Sequence, residues 1–193
     1  MALLHELIAQ DLIDHAFLKR FTNAPQLVVL DDGPREGLFA FDPDPARGAP
    51  GDGRNPHNKL VWDLPSGSAK NAYPEGIADG CDPALEGHYT LADGTRVAPS
   101  FQLLRERVAS CTPEWAAAIT GIPADDIRKL AREYATTQPS AIRIGVALEK
   151  SWGGGQAIRA VTSLPALTGA WRHLGGGILQ FPVWEHPYKF DVI

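Results

Sequence analysis

The stretch that decides the fold is AIRIGVALEKSWGGGQAIRAVTSLPALTGAW, residues 141–171. Its apolar start predicts a buried strand, Ala141 to Ala147. A loop, Leu148 to Trp152, leads to the triplet Gly153-Gly154-Gly155 and to a long helix, predicted from Gln156 to about Trp171. A further helix, predicted over residues 124–135, precedes the strand. The order of helix, strand, glycine-bearing loop and helix predicts an α/β domain with a short, mainly parallel sheet flanked by helices.

Residues 31–100 differ in composition, since they hold 9 of the 16 prolines and 10 of the 19 glycines. This predicts an irregular insert without long helices or central strands. Within it, Asp93-Gly94 lies between two β-prone runs, residues 88–92 and 95–97. That pair favours a tight hairpin turn in which both residues have positive φ. We therefore expect 1–193 to be a single α/β domain or part of one, with 31–100 as an insert that contains a hairpin.

Composition and charge exclude several classes of function. The net charge of −5 argues against a protein that grips nucleic acid or an anionic membrane surface. The 2 cysteines, Cys81 and Cys111, cannot form a disulfide framework, a cysteine-rich zinc site or an iron–sulfur cluster. No apolar run approaches the roughly 20 residues that span a bilayer.

The connection from the strand to the helix is the strongest candidate for a binding site. Ligands of α/β sheets bind beyond the carboxyl ends of strands, where a helix N-terminus presents backbone N–H groups. Gly145 and the glycine triplet would let a ligand approach the backbone, but they could equally serve a turn and a tight helix–sheet contact. The tryptophans Trp152, Trp171 and Trp184 could flank a planar ligand or pack in a core. The spacing matches neither a dinucleotide fingerprint nor a P-loop.

Several segments, in this order, resemble one enzyme family. Residues 112–135, TPEWAAAITGIPADDIRKLAREYA, are similar to the segment TPEWAAEITGVPAEDIRELAREYA of the molybdopterin oxidoreductases of the dimethyl-sulfoxide-reductase family. Residues 154–160, GGQAIRA, resemble its NGGQAIRAI helix start. Residues 164–169 and 175–177 resemble its LNALTGNIGRPGGG, and residues 12–23, LIDHAFLKRFTN, resemble its LIDRDFLERYTN. The resemblance covers residues 1–30 and about 100–180.

The resemblance implies a fold, a cofactor and a site. Family members bind molybdenum through molybdopterin guanine dinucleotide, in a bis form, and carry out oxygen-atom or electron transfer at the metal. The chain resembles the middle α/β layer of the catalytic subunit, in which the loop after the strand approaches the cofactor. The backbone contacts implied for this sequence are those of Gly145, Val146, Ala147, Leu148, Glu149, Gly153 and Gly154. No catalytic residue and no metal ligand is implied.

The departures from the family pattern are equally informative. The cysteine motif for an iron–sulfur cluster, the segment that ligates molybdenum and the C-terminal β-barrel are absent from the 193 residues. We therefore expect an internal part of a bacterial catalytic subunit that binds no molybdenum alone and is inactive alone, with Met1 not the parent's natural start. A stand-alone scaffold module with the same α/β core is the alternative, and an unrelated nucleotide-binding enzyme has less support.

The resemblance also implies partners. These are the missing domains of the same polypeptide, an iron–sulfur electron-transfer subunit, and self-association through apolar surface that the missing domains would cover. Neither nucleic acid nor a membrane is expected as a partner. Substrate and compartment, cytoplasmic or periplasmic, stay open.

Overall fold

The computed structural model describes residues 1–42, 59–72, 80–145 and 147–180. Its helices are α1 (Ala2–Ala9), α2 (His15–Phe21), α3 (Ser100–Val108), α4 (Pro113–Thr120), α5 (Ala124–Thr136) and α6 (Gly154–Leu167). Its strands are β1 (Leu27–Val29), β2 (Leu60–Asp63), β3 (Ser68–Asn71), β4 (Tyr89–Thr90), β5 (Arg96–Pro99), β6 (Ala141–Ile144) and β7 (Gly177–Gln180). Short 3₁₀ helices cover Leu148–Lys150 and Ala170–Arg172. The predicted mixture of helices and strands is confirmed.

The chain divides into two compact units by its internal contacts. The first unit comprises Met1–Asp14 and Cys111–Ile193, and the second comprises His15–Ser110. In the first, α1 packs against α4, α5 and α6. Strands β6 and β7 pair in parallel, from Ala141 opposite Gly177 to Ile144 opposite Gln180, and α6 lies in the connection between them.

Helix α4 begins and ends as its sequence predicts. The Thr112 side chain accepts a hydrogen bond from the Trp115 N–H at 3.2 Å, and Pro113 occupies the first turn, where no N–H partner is needed. Gly121 ends the helix with φ +74°, in the left-handed region that glycine adopts without strain. Helix α6 differs from its prediction, since it ends at Leu167 and is followed by Gly169 at φ +64°.

The second unit contains two antiparallel sheets among its described residues, a β1-β5-β4 sheet and a β2-β3 hairpin. Its core cluster consists of Leu27, Val29, Ala40, Leu60 and Val97. The Trp62 and Tyr89 rings stack beside this cluster with centroids 4.4 Å apart. The apolar faces of the strands thus cover one another.

A buried carboxylate ties two loops of the second unit to β2. Asp63 is 1% exposed and accepts hydrogen bonds from the Ser66 hydroxyl at 2.6 Å and the Asp82 N–H at 3.0 Å, while the Lys70 ammonium lies 2.6 Å away. The hydrogen bonds from Lys70 and Ser66 hold the pKa of Asp63 well below its ordinary value. Burial, together with the negative charge of Asp63, raises the pKa of the neighbouring Cys81 thiol to about 11.

One detail of the sequence prediction is not confirmed, and another is wrong. The sheet is not shown to be mainly parallel, because β6 and β7 form the one parallel pair among the described residues and the other sheets are antiparallel. The exclusion of central strands from residues 31–100 is wrong, because β5 lies between β1 and β4. Strand β5 contains one proline, Pro99, and this is the last residue of the strand, where the missing N–H costs little.

The predicted hairpin exists, but its turn differs. Gly94 donates to the Leu91 carbonyl at 2.9 Å and has φ +86°, whereas Asp93 does not have positive φ. The Leu91 N–H donates to the Thr95 carbonyl, so three residues form the loop, ending in one left-handed glycine. The Asp93 carboxylate accepts from the Thr95 N–H at 2.9 Å, which explains the acid at this position.

Candidate functional site

The candidate site is the connection from β6 to α6, residues 145–153, with the first turn of the helix. Strand β6 ends at Ile144, three residues earlier than predicted, and Gly145 is exposed directly after it. The 3₁₀ turn that follows is closed by hydrogen bonds from the Ser151 hydroxyl to the Leu148 carbonyl at 2.7 Å and from the Gly154 N–H to the Ser151 carbonyl at 2.9 Å. The loop therefore holds its shape through hydrogen bonds among its own residues.

Six of the seven predicted cofactor-contacting residues lie on this connection as described, and Val146 lies outside the described residues. Gly145, Ala147 and Gly153 are exposed. Leu148 and Glu149 are half-buried, and Gly154 is buried. The exposed residues can meet a ligand directly, whereas Gly154 faces the backbone of its own loop.

Two glycines of the connection are required by the fold, each for a different structural reason. A Cβ at Gly154 would stand 2.1 Å from the Leu148 carbonyl oxygen, so a tight backbone contact requires glycine there. Gly153 has φ +73°, which also favours glycine. Turn and packing thus account for these two positions, as the structural alternative predicts.

Neither reason applies to Gly145 and Gly155. Both are exposed, neither has positive φ, and a Cβ at either would meet no described atom within 4 Å. Gly155 was part of the predicted triplet but was not among the predicted contacts. Its N–H, in the first turn of α6, has no hydrogen-bond acceptor among the described residues. The connection therefore presents bare backbone and an open N–H group, which suit an anionic or planar polar ligand.

The three tryptophans near the glycine clusters have different surroundings. Trp152, next to Gly153, is fully exposed. The Trp171 ring lies against Gly177, where an added Cβ would be 2.3 Å from the ring. Trp184 lies outside the described residues. Packing explains Trp171 and does not explain Trp152.

Other kinds of site find no support in the part of the chain that the structure describes. No cluster of three His, Cys, Asp or Glu side chains there has an arrangement that could hold a metal ion. Likewise, none of the helices within those residues has the length and apolar character needed to cross a bilayer.

Comparison with known proteins identifies relatives along most of the chain. The chain is 46% identical over 133 residues to a sulfite dehydrogenase of Allochromatium vinosum, and this match covers 69% of the chain and 13% of the relative. It is 35% identical over 205 residues to the alpha subunit of the perchlorate reductase of Dechloromonas aromatica, covering 94% of the chain and 22% of the relative. A dimethyl sulfoxide reductase of Escherichia coli is 50% identical over 92 residues, covering 42% of the chain and 11% of the relative.

These matches also define how much of a relative the chain represents. The chain spans between 11% and 22% of the length of these three relatives. No protein-family model matches the chain. The similarity to the perchlorate reductase alpha subunit nevertheless extends over 94% of the chain. The chain belongs to the molybdopterin oxidoreductases of the dimethyl-sulfoxide-reductase family.

Proposed function

We propose that the chain is the part of a catalytic subunit that carries one face of a bis-molybdopterin-guanine-dinucleotide site. The observation that carries this proposal is the pair of exposed glycines, Gly145 and Gly155, for which the fold itself gives no reason. When bound in the longer protein, the cofactor would supply molybdenum for oxygen-atom or electron transfer. The chain's own residues would bind and orient the cofactor.

The residues of the connection fit such a group in two ways. Gly145, Val146, Ala147 and Gly153 would offer backbone to the pterin or its phosphates, and Gly155 adds the open N–H of a helix start. Gly154 would act as a positioning residue, because its closeness to the Leu148 carbonyl fixes the 3₁₀ turn that carries Leu148 and Glu149.

The parallel pair β6–β7 would be part of a larger, mainly parallel sheet in the longer protein. Parallel sheets in proteins are normally covered on both faces, yet Ala141 and Arg143 of β6 are exposed and Leu179 of β7 is 63% exposed. Further parallel strands and helices of the same polypeptide would cover these residues. In that setting 1–193 would be one α/β domain or a part of one, and an iron–sulfur electron-transfer subunit would be a further partner.

The chain alone is expected to bind no molybdenum and to have no oxidoreductase activity, because it offers one side of a site. Metal analysis of the purified 193-residue chain tests this. About stoichiometric molybdenum in that sample would overturn it.

The cofactor contact itself is tested in the longer polypeptide with Gly145→Leu and Gly155→Leu. Each adds a side chain where the structure leaves open space, so we expect molybdenum and pterin content to fall about tenfold while the unfolding temperature stays within a few degrees. Ala118→Leu, at an exposed position of α4, is the matched control and should leave the cofactor content unchanged. Full cofactor content in both glycine variants would contradict the assigned contacts.

A further inference from the structure

An open, apolar groove of about 400 Å³ lies on the first unit, formed by α1, α4 and α5. Large apolar side chains line it: Met1, Leu3, Trp115, Ile119, Ile122 and Leu130. Two of them stay largely exposed, Ile119 at 66% and Leu130 at 53%. Contiguous exposed apolar surface of this kind marks an interaction site.

The groove contains one charged side chain, Asp126, in the first turn of α5. Its neighbour Asp125 pairs with Arg128 at 3.1 Å, and Arg128 also pairs with Glu114. Asp126 has no such ion pair among the described residues. The dipole of α5 favours an acid in this turn, and the position of Asp126 in the groove leaves that charge available to an incoming cation.

The shape of the groove selects the kind of occupant. Its lining residues belong to helices, to Met1 before α1, or to the connection at Ile122, so no strand edge is available for a β-strand to join. The exposed walls would leave a small molecule half in water, whereas binding pockets bury most of their ligand. An amphipathic helix that lays its apolar face into the groove satisfies both conditions.

Charge argues for a different segment rather than a second copy of the chain. The chain carries a net charge of −5, and a second groove would bring another Asp126 to the interface. A helix with one basic residue among its apolar ones would instead complement Asp126.

We propose that this groove receives an amphipathic α-helix from the part of the same polypeptide outside residues 1–193. Its apolar side chains, at i, i+3 or i+4, and i+7, would fill the groove, and a Lys or Arg would lie beside Asp126. The proposal rests on the proposed function, since it requires the longer catalytic subunit. Between 78% and 89% of the length of the three relatives described above lies outside the matched region (100 − 22 and 100 − 11).

The experiment is photo-crosslinking in the longer polypeptide, with p-benzoylphenylalanine in place of Ile119 and, separately, of Leu130. Both variants should form a crosslink to one helix outside residues 1–193 that carries a basic residue. The matched control has the same replacement at Leu174, which is 99% exposed and does not line the groove, and should not give that product. Asp126→Lys should lower the Ile119 product about fivefold, and Asp126→Glu should preserve it.

Products joined to a second copy, to a different polypeptide or to residues 1–193, or no product from either groove position, would overturn the proposal. Molybdenum content measured on the same samples separates this result from the proposed function. Normal molybdenum without the crosslink refutes the groove assignment alone. The crosslink without molybdenum refutes the cofactor assignment and supports the groove.

Discussion

The antiparallel β1-β5-β4 sheet of the second unit and the parallel β6–β7 pair of the first unit differ in how well each is covered. All three residues of β1 are buried, as are Val97, Ala98 and Pro99 of β5. In β6 only Ile144 is buried, and in β7 Leu179 is 63% exposed. The first sheet buries its apolar residues within the unit, whereas the second does not.

Polar groups follow the same division. In the second unit the buried Asp63 has partners on three sides, from Lys70, Ser66 and the Asp82 N–H. In the first unit the connection after β6 exposes backbone at Gly145 and an open N–H at Gly155. The second unit thus pairs its buried carboxylate internally, whereas the first unit exposes backbone that the proposed cofactor and further polypeptide would contact.

Amide hydrogen exchange gives the largest expected difference between the two sheets. In the 193-residue chain the Val97 amide, in a central strand, should exchange about 1,000-fold more slowly than the Ile142 and Gly177 amides of the parallel pair, of which Gly177 donates to the Ser140 carbonyl at 3.0 Å. The reason is that opening β6–β7 exposes little additional apolar surface. Exchange resolved by residue with nuclear magnetic resonance measures the ratio.

The longer polypeptide supplies the control for that measurement. There, added strands and helices should bring protection of the Ile142 and Gly177 amides to within about tenfold of Val97. Equal protection of the three amides in the 193-residue chain would show that the parallel pair is already complete.

Local sequence patterns predicted the elements whose ends are fixed by local chemistry. The hydroxyl cap, proline and glycine of Thr112, Pro113 and Gly121 were sufficient for α4. Strand β7 was not predicted, because it is short and begins at Gly177, a residue type that disfavours strands. Its pairing with β6 depends on a partner more than 30 residues away (177 − 141).

The same limit applies to the candidate site. The position of the loop follows from a strand that precedes a helix, and the sequence indicates it well. The sequence cannot show that Gly154 lies against the Leu148 carbonyl while Gly155, the next residue, lies in open space. Composition was also misleading. The many prolines of residues 31–100 predicted that no central strand lies there, but the central strand β5 contains a single proline, at its last residue.

The reactivity of the Cys81 thiol tests how well the second unit shields its partly buried groups. With Cys111→Ser, Cys81 is the one cysteine left, and its pKa of about 11 predicts a thiolate fraction of about 0.001 at pH 8. Alkylation should therefore be about 200-fold slower than for an ordinary thiol of pKa about 8.5. Because burial and Asp63 disfavour the thiolate, the rate should rise about tenfold per pH unit up to about pH 11.

The rate of alkylation by iodoacetamide, measured at several values between about pH 7 and about pH 10, gives this profile. The same variant unfolded in urea is the control and should react as an ordinary thiol. A rate that levels off below about pH 9 in the folded chain would show that Asp63 and burial do not protect Cys81.

The smallest expected effect is a difference in the free energy of unfolding between variants of two adjacent glycines in the first unit. Gly154→Ala places a Cβ 2.1 Å from the Leu148 carbonyl oxygen, so the backbone must shift, and we expect the free energy of unfolding to fall by about 2 kcal/mol, roughly 30-fold in the equilibrium constant. Gly155→Ala meets open space in the first turn of α6 and should change stability by less than about 1 kcal/mol, in the stabilising direction. Urea unfolding followed by circular dichroism compares the variants.

The sign of the Gly155→Ala effect decides what that glycine is for. If the variant is as stable as the parent chain or more stable, folding does not require glycine at residue 155, and the absence of a side chain serves something that approaches from outside. If the variant loses as much stability as Gly154→Ala, both glycines are packing residues and the connection from β6 to α6 is an ordinary turn. Because the two positions share the same helix turn, helix propensity alone cannot produce opposite signs, so the difference reports the contact with Leu148.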